Sequence, residues 1–258
     1  MFDRDKYLEE IDANGYAIIE DVFSPEFIQK AKRELESAIE KEVLYHKGKR
    51  DYVDYGMVLM CSMYGGAFIE LFDNPKLIDP VNAVLGESCI VYAYTSSSMP
   101  PNKSNYSKRI HVDSPRLIPG YITTFGVFIA LDDMTEENGT MWFLPGSHLT
   151  IDTPSEEYFT SHAKRLICKA GSVMFLNPRM WHRGGDNNTD KWRHATTISF
   201  VRPYMKQRID IPRAMSEIDI SSYSETAKQK LGFYAQVPAN YDEYYLPKEL
   251  RKFKQSAE

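Results

Sequence analysis

The apolar residues in the first third of the chain recur at helical spacing. Helices are predicted over residues 3–14, 24–44 and 74–86, and a short strand over residues 16–21. The second helix has the clearest pattern, because Phe27, Ala31 and Leu35 lie four residues apart. It begins at Ser24 and Pro25, a pair that is typical of a helix N-cap and first turn.

After Gly86 the pattern changes to β-branched and aromatic runs separated by Gly, Pro, Asn and Asp. Strands are predicted over residues 89–95, 121–131, 140–144, 165–168, 172–176 and 194–201. Helices followed by strands predict a mainly β fold with flanking helices, either a β-barrel or a jelly roll. We expect one domain over residues 1–258, with helices in about 1–86, a β core in about 87–205 and a tail in 206–258 that is weakly helical around 222–231.

Composition excludes some classes of protein. The formal net charge is −5 and the basic residues are scattered, whereas nucleic-acid-binding proteins have a basic stripe. No run approaches the ~20 apolar residues of a membrane helix, and the acidic N-terminus does not resemble a signal peptide. Three widely spaced cysteines suggest reduced thiols. A soluble cytoplasmic protein that acts on a small molecule is therefore expected, with no prediction of its oligomeric state.

The most informative chemical pattern is His111-Val112-Asp113, which is followed 69 residues after the aspartate by His182. Two imidazoles and one carboxylate can occupy one face of an Fe(II) ion and leave three positions open. On a strand, residues i and i+2 point to the same side, so His111 and Asp113 could converge on one ion. We interpret these three residues as metal ligands.

Arg193 lies eleven residues after His182, in a strand-like segment. Its planar guanidinium can hold a carboxylate through two parallel hydrogen bonds. Strand alternation places the small residues Ala195, Thr197 and Ser199 on the same side, which would leave room for a ligand. The same alternation directs His194 to the opposite face and makes it a poor ligand candidate.

The other histidines have simpler interpretations. His46 and His162 lie in polar stretches and are predicted to be surface residues. His148 closes a turn and is expected to pack or to cap it. Arg116, three residues after Asp113, could contact an anionic substrate or could pair with a surface acid.

The chain resembles the phytanoyl-CoA dioxygenase family of Fe(II)/2-oxoglutarate oxygenases over roughly residues 10–205. Besides the candidate ligands, the likeness rests on Met99-Pro100-Pro101, Glu137-Asn138-Gly139-Thr140, Leu144-Pro145-Gly146-Ser147-His148, residues 171–175 and Trp181-His182-Arg183-Gly184-Gly185. It implies a double-stranded β-helix (a cupin-like jelly roll) with the metal at one open end.

The resemblance also implies the cofactors Fe(II), 2-oxoglutarate and O2. His111, Asp113 and His182 would bind iron and act in catalysis, and Arg193 would bind the far (C5) carboxylate of 2-oxoglutarate. Thr95 and Phe128 lie where the family contacts the cosubstrate, although both could instead be ordinary core residues. Turnover would oxidise a C–H bond, most simply by hydroxylation, and release succinate and CO2.

Two features qualify the resemblance. Some members have a hydroxyl two residues after the distal histidine, where this chain has Gly184. Related halogenases have Ala or Gly at the position of Asp113, so the aspartate favours oxidation without chlorination. In the family, the C-terminal tail and the loop near residues 45–65 often cover the active site. Tyrosines that could form such a lid are Tyr52, Tyr55, Tyr64, Tyr234, Tyr241, Tyr244 and Tyr245.

Two other classes of function stay open from the sequence. A cupin-like isomerase or hydrolase could use the same His/Asp/His set without a dicarboxylate, and Arg193 is the feature against it. A non-catalytic small-molecule-binding protein could keep the fold, but the complete triad disfavours it. The motifs do not identify the substrate.

Overall fold

The computed structural model describes residues 3–47 and 56–252 of the chain. Its α-helices are α1 (Arg4–Asn14), α2 (Pro25–Tyr45), α3 (Ala67–Glu70), α4 (Pro75–Leu85), α5 (Glu156–His162), α6 (Ile211–Ala214), α7 (Glu225–Lys230) and α8 (Tyr241–Tyr244). The side chains of Asp3 and Ser24 cap the first two helices. Within these described residues, no helix has the length and apolar character to cross a membrane.

In the described part of the chain, eight strands form two antiparallel sheets. The strands are β1 (Tyr16–Ile19), β2 (Ile90–Ser96), β3 (Thr124–Ala130), β4 (Met141–Phe143), β5 (Lys164–Arg165), β6 (Val173–Leu176), β7 (His182–Gly184) and β8 (Ala195–Val201). The larger sheet has the order β1-β6-β3-β8-β2, and the smaller has the order β5-β4-β7. Sequence neighbours are mostly not sheet neighbours, so the sheets are built from distant parts of the chain.

The larger sheet is covered on both faces. Along β3, Phe125 and Val127 point into the main core with helix residues such as Leu35 and Leu77. Phe128 points the other way and packs with Phe143 of the small sheet. This alternation follows from the two-residue period of a strand. It leaves the open end of the space between the two sheets available for a binding site.

The predicted order of elements is confirmed, with adjusted boundaries. The helices predicted at 3–14, 24–44 and 74–86 correspond to α1, α2 and α4, and the helix expected near 222–231 is α7. The strand predicted over 165–168 is shorter, because β5 contains two residues and Cys168 forms only an isolated bridge with Met134. The short helix α3 was not predicted.

The tail is part of the main core. Ile211, Met215, Ala227 and Leu231 are buried together with the residues of the helical layer. Apolar burial of this kind fixes the tail on the outer side of β2. Among the described residues of the tail, Arg208 is the one that lines the cavity between the sheets.

Candidate metal and cosubstrate site

His111, Asp113 and His182 lie together at the open end between the two sheets. Their candidate ligand atoms all lie within 4.8 Å of one another. The Nε2 atoms of His111 and His182 are each 3.6 Å from an Asp113 carboxylate oxygen. Two imidazole nitrogens and a carboxylate that face one common point form a donor set that fits a first-row divalent metal.

The backbone orients both imidazole rings. His111 and His182 are directly opposite each other in an antiparallel bridge, and their backbone N–H and C=O groups are joined by two 3.0 Å hydrogen bonds. The Nδ1 atom of His111 donates to the Arg109 carbonyl at 2.7 Å, and Nδ1 of His182 donates to the Met180 carbonyl at 2.8 Å. A carbonyl oxygen can only accept, so the proton is on Nδ1 and the Nε2 lone pair is free for a metal.

The prediction that His111 and Asp113 lie on one strand was wrong. His111 forms an isolated bridge outside the named strands, and Asp113 lies at a bend. The backbone N–H groups of Asp113 and Ser114 both donate to the Pro178 carbonyl, at 2.8 and 3.1 Å. This turn brings the Asp113 carboxylate back towards the two imidazoles. The hydrogen bonds to Pro178, rather than strand alternation, therefore place Asp113 on the same side as His111.

The metal ligands are partly open to solvent. The side chain of His182 is 10% exposed, that of His111 is 36% exposed and that of Asp113 is 51% exposed. Burial, and after it the neighbouring His182, lower the pKa of His111 below its usual value. The neutral, metal-binding form of His111 is therefore favoured at neutral pH.

Arg193 is buried beside the metal cluster. It is 2% exposed, and its terminal nitrogens donate to the carbonyls of Ser97 and Gly139, both at 2.7 Å. Its Nε atom is buried without a hydrogen-bond partner. Burial lowers the pKa of Arg193 to about 10, so the side chain is still a cation. A buried donor without a partner, carried by a cation, fits a ligand carboxylate.

Thr95 and Phe128 lie on either side of Thr197 in the wall of the same cavity. Thr197 of β8 is paired with Thr95 on one side and with Phe128 on the other. The hydroxyls of Thr95 and Thr197 are 2.9 Å apart, and the guanidinium of Arg193 lies over the Phe128 ring, 6.0 Å from its centre. Arg193, Thr197 and Ser199 line the cavity, as predicted, whereas Ala195 packs in the core with Phe128 and does not line it.

The cavity has a volume of about 780 Å³ and contains all six predicted site residues in its wall. That volume is typical of small-molecule sites. A second cavity of about 860 Å³ lies between α4 and α7 and contains none of the six. The structure therefore brings the metal cluster and the candidate cosubstrate residues together in one space.

The polar residues of the wall that were not predicted from the sequence include Tyr106, Ser107 and Arg208. The hydroxyl of Ser107 occupies the space beside Gly184 and would collide with any side chain at that position. A hydroxyl is therefore present where the chain departs from the family pattern, although it comes from a distant segment. Its position could not be found by counting residues from His182.

Tyr106 faces several charges of the site. Burial of its hydroxyl group, and then the Asp113 carboxylate, raise the pKa of Tyr106 to about 12, while Arg208 and Arg193 act in the opposite direction. The hydroxyl is therefore neutral and can donate a hydrogen bond at any physiological pH. The Tyr106 hydroxyl thus interacts electrostatically with Asp113, Arg208 and Arg193.

The other histidines do not join the metal cluster. His194 is 4% exposed, and its Nδ1 atom lies 2.9 Å from the Ser98 hydroxyl on the opposite face of the strand from Arg193. His148 packs against the end of α1, with Nε2 3.1 Å from the Asp12 carbonyl. His162 is exposed, as predicted, whereas His46 is half-buried beside Glu42.

The expected lid is not made by the named tyrosines of the described chain. Tyr64, Tyr234, Tyr241, Tyr244 and Tyr245 are absent from the cavity wall, and Tyr52 and Tyr55 lie outside the described residues. Arg116 is exposed and does not line the cavity either. Met57 and Leu59 from the predicted covering loop, and Arg208 from the tail, do border it.

A family model and several known proteins are similar to this chain. Residues 11–195 match the family model of phytanoyl-CoA dioxygenase. Uncharacterized proteins of Mycobacterium bovis and Mycobacterium tuberculosis are each 29% identical over 258 residues, which cover 97% of this chain and 94% of each relative. A phytanoyl-CoA dioxygenase of Arabidopsis thaliana is 32% identical over 90 residues, or 30% of this chain and 32% of that protein.

Solved structures share the fold. The nickel complex of the non-heme monooxygenase ThoJ has a TM-score of 0.63 and 21% identity, and covers 79% of this chain and 80% of its own. The epimerase SnoN, in complex with Fe3+ and alpha ketoglutarate, has a TM-score of 0.61 and 19% identity, and covers 86% of this chain and 92% of its own. The strand-rich fold with flanking helices is thus that of non-haem metal enzymes.

Proposed function

The chain belongs to the phytanoyl-CoA dioxygenase family, and we propose that it is an Fe(II)- and 2-oxoglutarate-dependent dioxygenase that hydroxylates a C–H bond of a small-molecule metabolite. The observation that carries this proposal is the convergence of His111, Asp113 and His182 within 4.8 Å. Iron bound there would supply, with O2 and 2-oxoglutarate, the oxidation itself, with succinate and CO2 as co-products.

The residues around the triad have separate tasks. The carbonyls of Arg109 and Met180 hold the two imidazoles with Nε2 towards the metal position. Asp113 supplies the anionic ligand, and its presence favours hydroxylation over halogenation. Because the ligands are His and carboxylate, with positions left open, a non-haem Fe(II) site is favoured over a closed structural zinc site.

Arg193 is proposed to bind the C5 carboxylate of 2-oxoglutarate through its unpartnered Nε–H. The carbonyls of Ser97 and Gly139 hold the guanidinium plane in a fixed orientation, which lowers the entropic cost of binding. Thr95 and Phe128 are proposed to contact the cosubstrate, one through its hydroxyl and the other through its ring.

We further propose that the chain acts as a single oxygenase domain with a double-stranded β-helix. Two antiparallel sheets packed face to face support this architecture. The shared core of helices, large sheet and tail supports one domain. The three cysteines are free and buried, which supports a reducing compartment such as the cytoplasm.

The test is an anaerobic titration with Fe(II) and 2-oxoglutarate, monitored by visible absorption. The expected result is a weak metal-to-ligand charge-transfer band that needs both additions. Asp113→Ala should remove the band, whereas the exposed Asp190→Ala should keep it. This band reports iron and cosubstrate together before any substrate is known.

The other classes of function are distinguished by the same titration. Metal binding without any effect of 2-oxoglutarate would replace the oxygenase with a cupin-like isomerase or hydrolase. Binding of neither would leave a small-molecule-binding protein without this chemistry. Either result would overturn the proposed function.

A further inference from the structure

Arg208 is one of three arginines in the cavity wall; its side chain is exposed, and its guanidinium has no hydrogen-bond or ion-pair partner among the described residues. The segment that carries it is held by other groups. The backbone N–H of Arg208 donates to the Tyr92 carbonyl at 2.9 Å. The neighbouring Gln207 side chain donates to the carbonyls of Val91 and Leu231, at 2.8 and 3.0 Å. The Arg208 side chain is therefore not needed to hold its own loop.

The described cavity wall has too few acidic side chains to pair with all of its arginines, and Arg208 is the one without a partner. Among the described lining residues, Asp113 is the only acid, and the arginines are Arg183, Arg193 and Arg208. Arg183 pairs with Glu156 outside the cavity. When a divalent metal and the 2-oxoglutarate dianion are bound, their charges cancel and Asp113 offsets Arg193. The positive charge of Arg208 is then left for another ligand.

The surroundings of Arg208 are suited to a ligand that is only partly polar. Met57, Leu59 and Ala93 line the cavity together with Arg208. Tyr106, within electrostatic reach of Arg208, adds a neutral hydroxyl that can donate a hydrogen bond. An anion could thus receive hydrogen bonds from a cation and a phenol, while its apolar part contacts the other wall residues.

We propose that Arg208 binds the anionic group of the substrate, and that the substrate is a small organic anion (a carboxylate, phosphate ester or sulfate ester) with an apolar portion. This inference rests on the proposed function, because it takes the metal and 2-oxoglutarate to fill the positions at the triad and at Arg193, which leaves Arg208 for the substrate. Arg208 is then the residue that selects anionic over neutral substrates.

The experiment uses the full chain loaded with Ni(II) and saturating 2-oxoglutarate, so that the Arg193 position is filled. Hexanoate, hexyl phosphate, hexyl sulfate and the neutral hexanol are titrated by calorimetry. At least one anion should bind roughly tenfold more tightly than hexanol, and Arg208→Gln should remove that preference without changing hexanol binding. Arg208→Lys should keep part of it, and the exposed Arg116→Gln should keep all of it.

Two results would overturn the inference: no anion binds better than hexanol, or the preference survives in Arg208→Gln. The three anions also distinguish a carboxylate site from a phosphate or sulfate site. Binding of 2-oxoglutarate to the nickel-loaded protein is measured first. Its failure would reject the proposed function, whereas normal binding without an anion preference would reject only the role of Arg208.

Discussion

The two ends of the cavity are built in different ways. The metal end (His111, Asp113 and His182) rests on an isolated bridge, a bend and the first residue of the short strand β7. The cosubstrate end (Thr95, Phe128 and Arg193) lies on or directly beside three neighbouring strands of the large sheet. His111 and Asp113 at the first end are partly exposed, whereas His182 and the three residues at the second end are buried.

Because of this difference, substitutions at the two ends should have different effects on ligand binding and on folding stability. An exposed ligand such as Asp113 contributes little packing, so its loss should affect metal binding alone. A buried residue such as Arg193 also satisfies backbone carbonyls, so its loss should affect both ligand binding and folding. Removing residues from each end tests whether the ends are independent.

The largest effect is expected for Asp113→Ala. Metal affinity should fall by more than ~100-fold, because an anionic ligand is lost. Loss of a group that only hydrogen-bonds a metal ligand already costs about 10–100-fold. The free energy of unfolding of the metal-free protein should change by less than ~0.5 kcal/mol, as for other exposed positions. Calorimetry with Ni(II) and urea unfolding of the same samples measure both quantities. A large loss of stability without metal would show that the metal end is also a structural element.

The next largest effect concerns the free energy of unfolding, which should depend on pH through the buried His194. Burial lowers the pKa of His194 to about 4, from its ordinary value of 6.5, more strongly than Asp132 raises it. Between these pH values the unfolded chain binds a proton that the folded chain does not, so stability is lost as the pH falls through this window. The loss should be roughly 3 kcal/mol and should stop near pH 4.

Urea unfolding from pH 7 to pH 4 measures this loss, and His194→Gln should flatten the profile while the exposed His162→Gln should not. Metal affinity should follow a different profile, because protonation of His111, whose pKa lies below its usual value, removes a ligand as the pH falls. An unchanged stability profile in His194→Gln would assign the acid sensitivity to other groups.

Arg193→Lys should lower both the affinity for 2-oxoglutarate and the free energy of unfolding. Lysine keeps the charge but loses the planar fork, so 2-oxoglutarate affinity should fall by roughly tenfold or more. The carbonyls of Ser97 and Gly139 lose a shared donor, which should cost about 1–3 kcal/mol of stability. Metal binding should be retained, and Arg116→Lys serves as the control. Unchanged 2-oxoglutarate affinity would place the anion site elsewhere.

The smallest effect is expected for Thr95→Val. This substitution keeps the shape of the side chain but removes the hydroxyl that lies 2.9 Å from that of Thr197. The free energy of unfolding should fall by about 1 kcal/mol, and 2-oxoglutarate affinity should fall by only a few-fold. Thr95→Ser, which keeps the hydroxyl, should restore both. If serine behaves like valine, the methyl group rather than the hydroxyl is the important part of Thr95.

Local patterns predicted most of the fold and the candidate site. The four-residue apolar spacing gave α2, and Ser24 with Pro25 gave its start, because both signals depend on residues within one or two turns. Alternation correctly placed Thr197 with Arg193 and His194 on the other face. The strand proposed for His111 and Asp113 failed, because the segment pairs through one bridge and then bends at contacts with Pro178.

Residue types and short-range spacing can be read from the chain alone. They indicated the two histidines and the aspartate as metal ligands, an arginine among small neighbours, and helices followed by strands. Which distant groups complete the cavity depends instead on tertiary contacts. Ser107 fills the space beside Gly184, and Arg208 reaches the wall from the tail. The physical reason is that sheet pairing joins residues far apart in the chain, and no local period encodes which side chains then meet across the cavity.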